Sequence, residues 1–119
     1  MLNISIIGYG YWGSKLARNF QNSSYFNILS IVDKKRISLI NAKRNFPKIK
    51  FYSDHKKATK DILVDMIIIS TPTSSHFKIA EYALKNSKHV LVEKPLSLSV
   101  SEVRKLNILA RKKNKSKSC

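Results

Sequence analysis

Two hydrophobic periods alternate along this chain. Short, mainly apolar runs, Leu2–Ile7, Phe26–Val32, Met66–Ile69 and His89–Val92, have the length and β-branched content of buried strands, and residues 49–52 add a weaker one. The segments between them carry apolar residues at helical spacing. Tyr11–Gln21 sets Trp12, Leu16, Ala17 and Phe20 on one face. Residues 34–45 turn Ile37 and Ile40 inward, with Leu39 beside them, and stop at Phe46-Pro47. Residues 54–60 read as a polar helical turn. Residues 74–86 read as a helix with Phe77, Ala80 and Leu84 on one side. Ser99, with Glu102 three residues on, forms a capping box that opens a last helix burying Val100, Val103, Leu106 and Ala110. Regular alternation of buried strands and amphipathic helices predicts an α/β fold with a parallel, doubly wound sheet.

The pattern fails at the end. Arg111 to Cys119 is basic, polar and without periodicity, which reads as a disordered tail. A sixth strand would fall about here, so the sheet is expected to lack its last strand. The division that follows is a folded domain at 1–112 and a tail at 113–119. Strand five would then be an open edge, or lie under the last helix, and an open edge promotes association.

Glycine placement changes the picture from fold to chemistry. The chain has 3 glycines, and all fall in one run, Gly8-Tyr9-Gly10-Tyr11-Trp12-Gly13. The run joins the first strand to the first helix, the context that gives GxGxxG its meaning as a dinucleotide-binding signature. Gly8 allows a tight turn, Gly10 lets a pyrophosphate approach the backbone, and Gly13 lets the helix pack close to the sheet. The helix N-terminus then presents N–H groups and partial positive charge to the phosphates. Asp33 ends the second strand about 20 residues after Gly13, where a carboxylate accepts hydrogen bonds from the adenosine ribose. A carboxylate there favours NAD over NADP. Lys34, Lys35 and Arg36 follow it and oppose the dipole of their own helix. They suit a 2′-phosphate, but in a lysine-rich chain a solvated basic turn explains them as well.

Two further loops leave the C-terminal ends of strands four and five, where ligands bind in open α/β sheets. The first, Ser70 to His76, offers hydroxyls and a stiffening Pro72. His76 is a possible ligand contact, although a histidine in a first helical turn is more often a surface residue. The second is Glu93-Lys94-Pro95. A lysine locked beside a buried strand can hydrogen-bond a substrate hydroxyl and assist proton transfer, and Glu93 can orient it or contact the cofactor.

The net charge is +16, yet the lysines are spread along the chain and no nucleic-acid-binding signature accompanies them, so no specific nucleic-acid partner is expected. One cysteine, Cys119, excludes an intrachain disulfide. No signal peptide and no membrane-length apolar run is visible, and the expected compartment is the cytoplasm.

Taken together, GYGYWG with its downstream Asp33, STPTSSH and KHVLVEKPL resemble the N-terminal domain of the Gfo/Idh/MocA oxidoreductases over residues 2 to about 112. The resemblance implies a Rossmann-type domain that binds NAD or NADP for hydride transfer to or from hydroxyl carbons of sugars, inositols and related compounds. The GYWG-x-x-L-x-R-N-F stretch is closer to members acting on nucleotide-linked sugars. It implies that Gly8, Gly10 and Gly13 hold the pyrophosphate and Asp33 the ribose, with Tyr11 and Trp12 beside the cofactor. It also implies that Thr71, Pro72 and His76 line the nicotinamide side, that Glu93 contacts the cofactor, that Lys94 is the catalytic lysine, and that the Lys94–Pro95 bond is cis. The family usually carries glycine where Asn86 and Ser87 stand, and Asn86 is the residue expected to take the left-handed helix cap. The family's substrate domain is not expected within these residues, and the chain is expected to bind cofactor without turnover alone. A non-catalytic dinucleotide-sensing or partner-binding module is the alternative.

Overall fold

The computed structural model describes residues 1–92, 100–113 and 117–118. The strands are β1 (Leu2–Ile7), β2 (Phe26–Val32), β3 (Lys50–Tyr52), β4 (Met66–Ile69), β5 (His89–Val92) and β6 (Lys117–Ser118). The helices are α1 (Tyr11–Gln21), α2 (Arg36–Asn45), α3 (His55–Thr59), α4 (His76–Lys85) and α5 (Val100–Lys112). All strand pairs are parallel, in the order β3-β2-β1-β4-β5-β6. The chain winds outward from β1 to β3, then crosses back to place β4 on the other side of β1. That reversal opens a crevice between the C-terminal ends of β1 and β4.

Both sheet faces are covered, which is why the strands are apolar without alternation. On one face Ile7, Val32, Ile67, Ile69, Val90 and Val92 meet Ile79, Ala80, Ala83 and Leu84 of α4 and Ala110 of α5. On the other, Ile4, Ile6, Ile28, Ile31 and Ile68 meet Ala17 of α1, Ala42 of α2 and Phe46. Burying each isoleucine contributes about 1.5–3 kcal/mol. One polar pair interrupts the strands: Ser30 Oγ donates to Ser5 Oγ at 2.7 Å, both side chains buried. A buried hydroxyl pair at matched register satisfies itself across the ladder.

Several sequence expectations change here. In α1 the buried residues are Gly13 and Ala17, so the helix lies close to the sheet, while Trp12 is 47% exposed. Ile37 and Ile40 of α2 are 62% and 46% exposed and do not face the core. Ala42 makes the close approach instead, and Phe46, just past the helix, fills the space beside it, edge-on to Tyr9 with ring centroids 6.3 Å apart. At the end of α4 it is Ser87, not Asn86, that takes the left-handed conformation, at φ 61°. The Ser87 N–H bonds Leu84 O and the Lys88 N–H bonds Ala83 O, closing a Schellman cap. Asn86 instead donates its side-chain amide to Tyr82 O at 2.8 Å.

The tail also departs from expectation. Lys117–Ser118 pair parallel to Val90 and Leu91, adding a two-residue β6 beside β5 where the sheet was expected to stop. An open strand edge has unpaired backbone groups, and pairing with them needs no apolar side chains. A lysine-serine segment therefore extends the sheet although no hydrophobic pattern announces it. The proposed capping box at Ser99 and the side chains of Val100, Val103 and Leu106 lie outside the described residues.

Candidate functional site

The glycine run forms the turn from β1 into α1. Gly8 has φ +101°, a conformation that costs a residue with a side chain about 1 kcal/mol or more. A Cβ there would also lie 2.6 Å from Ser70 O. A Cβ on Gly13 would overlap the carbonyl oxygen of Gly8. Gly10 differs from both: no atom of the described residues lies within 4 Å of where its Cβ would be. It has no packing reason to be glycine, and the space beside it opens onto the crevice. No side chain caps the N-terminus of α1, and its first turn has no acidic residue. That arrangement suits a phosphate.

Asp33 follows β2, at the same end of the sheet. Its Oδ2 accepts from Tyr9 N–H at 2.8 Å and its Oδ1 from Lys35 N–H at 2.8 Å. These bonds lock the carboxylate between the glycine turn and the start of α2, and each oxygen keeps a lone pair for a ribose hydroxyl. Tyr9, between the first two glycines, is a site-building residue that the sequence reading passed over. It is buried, and its hydroxyl accepts from Asn45 Nδ2 at 3.0 Å. The motif position hides it, because GxG leaves the middle residue unspecified.

The loop after β4 forms the facing wall. Thr71 and Pro72 lead into a 3₁₀ turn at Thr73–Ser75 and then α4. His76 is not a surface residue: it is 1% exposed. Its Nε2 lies 2.7 Å from Thr71 O, so Nε2 carries the proton and donates, since a carbonyl only accepts. His76 therefore holds the loop from behind and does not line the crevice. Ser70 Oγ, Thr71 Oγ1 and His76 Nδ1 are buried without a hydrogen-bond partner.

Gly8, Gly10, Tyr11, Trp12, Asp33, Thr71 and Pro72 come together around one cleft of about 660 Å³, with Gly13 beneath it. Among the described residues that line it, Asp33 is the single acidic one, and Lys34, Lys35 and Lys78 join the wall, so the cleft suits an anion. At its mouth Tyr11 and Trp12 meet edge to face at 5.2 Å, with the Lys15 ammonium 4.3 Å from the Tyr11 ring centre. His55, another residue the sequence reading missed, lines the cleft from α3 and packs edge-on to Tyr82. Burial lowers its pKa below the ordinary 6.5, Lys56 and Lys34 add to that, and Asp54 opposes it. Glu93, Lys94 and the Lys94–Pro95 bond lie outside the described residues. No helix among the described residues is long and apolar enough to cross a membrane.

The oxidoreductase family with an NAD-binding Rossmann fold, Gfo/Idh/MocA, matches residues 2–118. The chain belongs to that family. Among its relatives, the Escherichia coli oxidoreductase YdgJ is 29% identical over 110 residues, covering 92% of this chain and 31% of YdgJ. The myo-inositol 2-dehydrogenase of Thermotoga maritima is 29% identical over 102 residues, covering 86% of this chain and 30% of that protein. The Synechocystis biliverdin reductase, solved with biliverdin and NADP+, superposes with a TM-score of 0.92 at 27% identity, over 98% of this chain and 37% of that one. The chain thus spans less than two fifths of these relatives and corresponds to their nicotinamide-dinucleotide-binding domain. A dinucleotide fits the donor set: an open backbone cradle at Gly10, an uncapped helix N-terminus and a fixed carboxylate with spare lone pairs.

Proposed function

We propose that this chain is the cofactor-binding domain of a dehydrogenase that moves hydride between nicotinamide and a hydroxyl or carbonyl carbon of a sugar- or inositol-like substrate. The observation that carries the reading is the pairing of an open backbone cradle at Gly10 with Asp33, held by the Tyr9 and Lys35 amides across one cleft. The cofactor supplies the redox chemistry when bound. This chain's residues bind and orient it: the glycine turn receives the pyrophosphate, Asp33 the ribose hydroxyls, and Thr71 and Pro72 flank the nicotinamide end. Tyr11 and Trp12 cover the entrance, and the Asp33 carboxylate favours NAD. Lys94 holds or passes the substrate hydroxyl proton, and Glu93 contacts the cofactor beside it. The inositol dehydrogenase among the relatives supports the substrate class.

Calorimetry with NADH on the purified chain tests the reading. Saturable binding that Gly10→Ala and Asp33→Ala abolish is the expected result. Absence of binding at millimolar NADH and NADPH overturns it.

A further inference from the structure

Leu2, Tyr25, Ile62 and Leu63 are 41%, 77%, 90% and 61% exposed, and all four lie at the N-terminal ends of β1, β2 and β4, opposite the cofactor cleft. Their segments are bonded side by side. The Leu2 N–H donates to Tyr25 O at 2.9 Å, Asn3 Nδ2 donates to Leu63 O at 3.0 Å, and the Asp65 N–H donates to Asn3 O at 2.7 Å. The loop carrying Ile62 and Leu63 is fixed from within. Asp61 Oδ1 accepts from the Leu63 N–H at 2.9 Å, and the buried Lys88 ammonium donates to Asp61 O and Val64 O. A loop already ordered costs a contact little further conformational entropy. Four such side chains expose on the order of 300 Å² of apolar surface, the size of patch that marks an interaction site.

The charge distribution selects the occupant. Residues 1–3, 22–27 and 61–65, which build this end, contain no lysine or arginine in a chain that has 23, and they carry Asp61 and Asp65. Over most of the remaining surface two copies of a +16 chain bring cation against cation. At this end they bring apolar side chains together instead. An acidic partner would meet Asp61 and Asp65 here, so it is the worse fit. Lys60, exposed beside Asp61, gives the rim both signs, which suits pairing across a symmetry axis. We infer that a second copy of this chain docks here, patch to patch about a two-fold axis. The patch is less than half of the roughly 800 Å² that each partner gives a standard interface, so the dimer forms only at about tens of micromolar. It leaves the cleft at the other end open, and the inference therefore stands apart from the cofactor reading.

The test is sedimentation equilibrium on the full chain, on Ile62→Lys and on Ile37→Lys, from about 5 µM to about 500 µM and in about 0.05 M and about 0.5 M salt. Ile37 is 62% exposed on α2, so its replacement makes the same chemical change away from the patch. Both side chains are exposed, and equal melting temperatures for the three proteins check that the fold is kept. The expected result is a monomer–dimer equilibrium that tightens as salt rises, because salt screens the repulsion between two cationic chains and leaves the apolar contact. Ile62→Lys weakens the dimer at least about tenfold, since the symmetry places both new charges in one interface, and Ile37→Lys weakens it less than about twofold. A parent that stays monomeric at about 500 µM in about 0.5 M salt overturns the inference. So does a dimer that weakens as salt rises, association that continues past the dimer, or an Ile62→Lys effect matched by Ile37→Lys.

Discussion

The Tyr9 backbone N–H donates to Asp33 Oδ2 at 2.8 Å, joining the glycine turn after β1 to the end of β2. One carboxylate thus shapes the site and, in the proposed complex, contacts the ribose. Asp33→Ala should weaken NADH at least about tenfold and destabilise the chain by about 1–3 kcal/mol, because two amides lose their acceptor. Paired calorimetry and urea unfolding check this. A loss of binding without loss of stability would mean that the two amides find water at no cost.

Gly10 and Gly13 should separate binding from folding. At Gly10 a methyl meets nothing in the protein, so Gly10→Ala keeps its melting temperature and loses dinucleotide binding. At Gly13 a methyl runs into the Gly8 carbonyl, so Gly13→Ala costs about 1–3 kcal/mol whether or not ligand is present. Thermal melts with and without NADH distinguish the two.

Ser87 occupies a position built for glycine. Ser87→Gly should raise stability by about 1 kcal/mol, since the left-handed conformation no longer meets a Cβ. Equal midpoints for parent and variant in urea would show that serine is accommodated there without strain.

Lys88 is buried, and its ammonium donates to Asp61 O at 2.7 Å and Val64 O at 2.6 Å. It pins the loop between α3 and β4. Lys88→Met keeps the aliphatic stem and should cost about 2–3 kcal/mol by leaving those carbonyls without their charged donor. Exchange of amide hydrogens over residues 61–65 should speed up first.

His55 should make stability fall as the solution is acidified. Its folded pKa lies below 6.5, so below about pH 6.5 the unfolded chain binds a proton that the folded chain releases. The resulting loss grows until the folded pKa is passed and is then constant. Melting temperatures at about pH 7.5 and about pH 5.5 should differ less for His55→Gln than for the parent.

Strand identity, helix order and the dinucleotide motif were all legible in the linear pattern. β1, β2, β4 and β5 have the bounds that their apolar runs predict, because strands covered on both faces are predominantly apolar. Gly8, Gly10, Gly13 and Asp33 were legible because the backbone at those points allows few residues. Burial on a weakly amphipathic helix was not legible. Ile37 and Ile40 of α2 point outward while Ala42 and Phe46 take the core, since the distance from helix to sheet decides which side chain fits.

Tertiary structure alone decided three further features. It turned His76 inward to bond Thr71 O, because only the packed loop supplies that carbonyl. It paired Lys117–Ser118 with β5, because the demand for a partner comes from the strand edge and not from the tail's side chains. It placed an α1–α2 groove beside the larger cleft, bringing Arg18 and Asn41 within one cavity though they lie far apart in the chain. Local chemistry is written in runs of a few residues. Which distant runs share a wall is set by the crossing of the chain from β3 back to β4 beside β1.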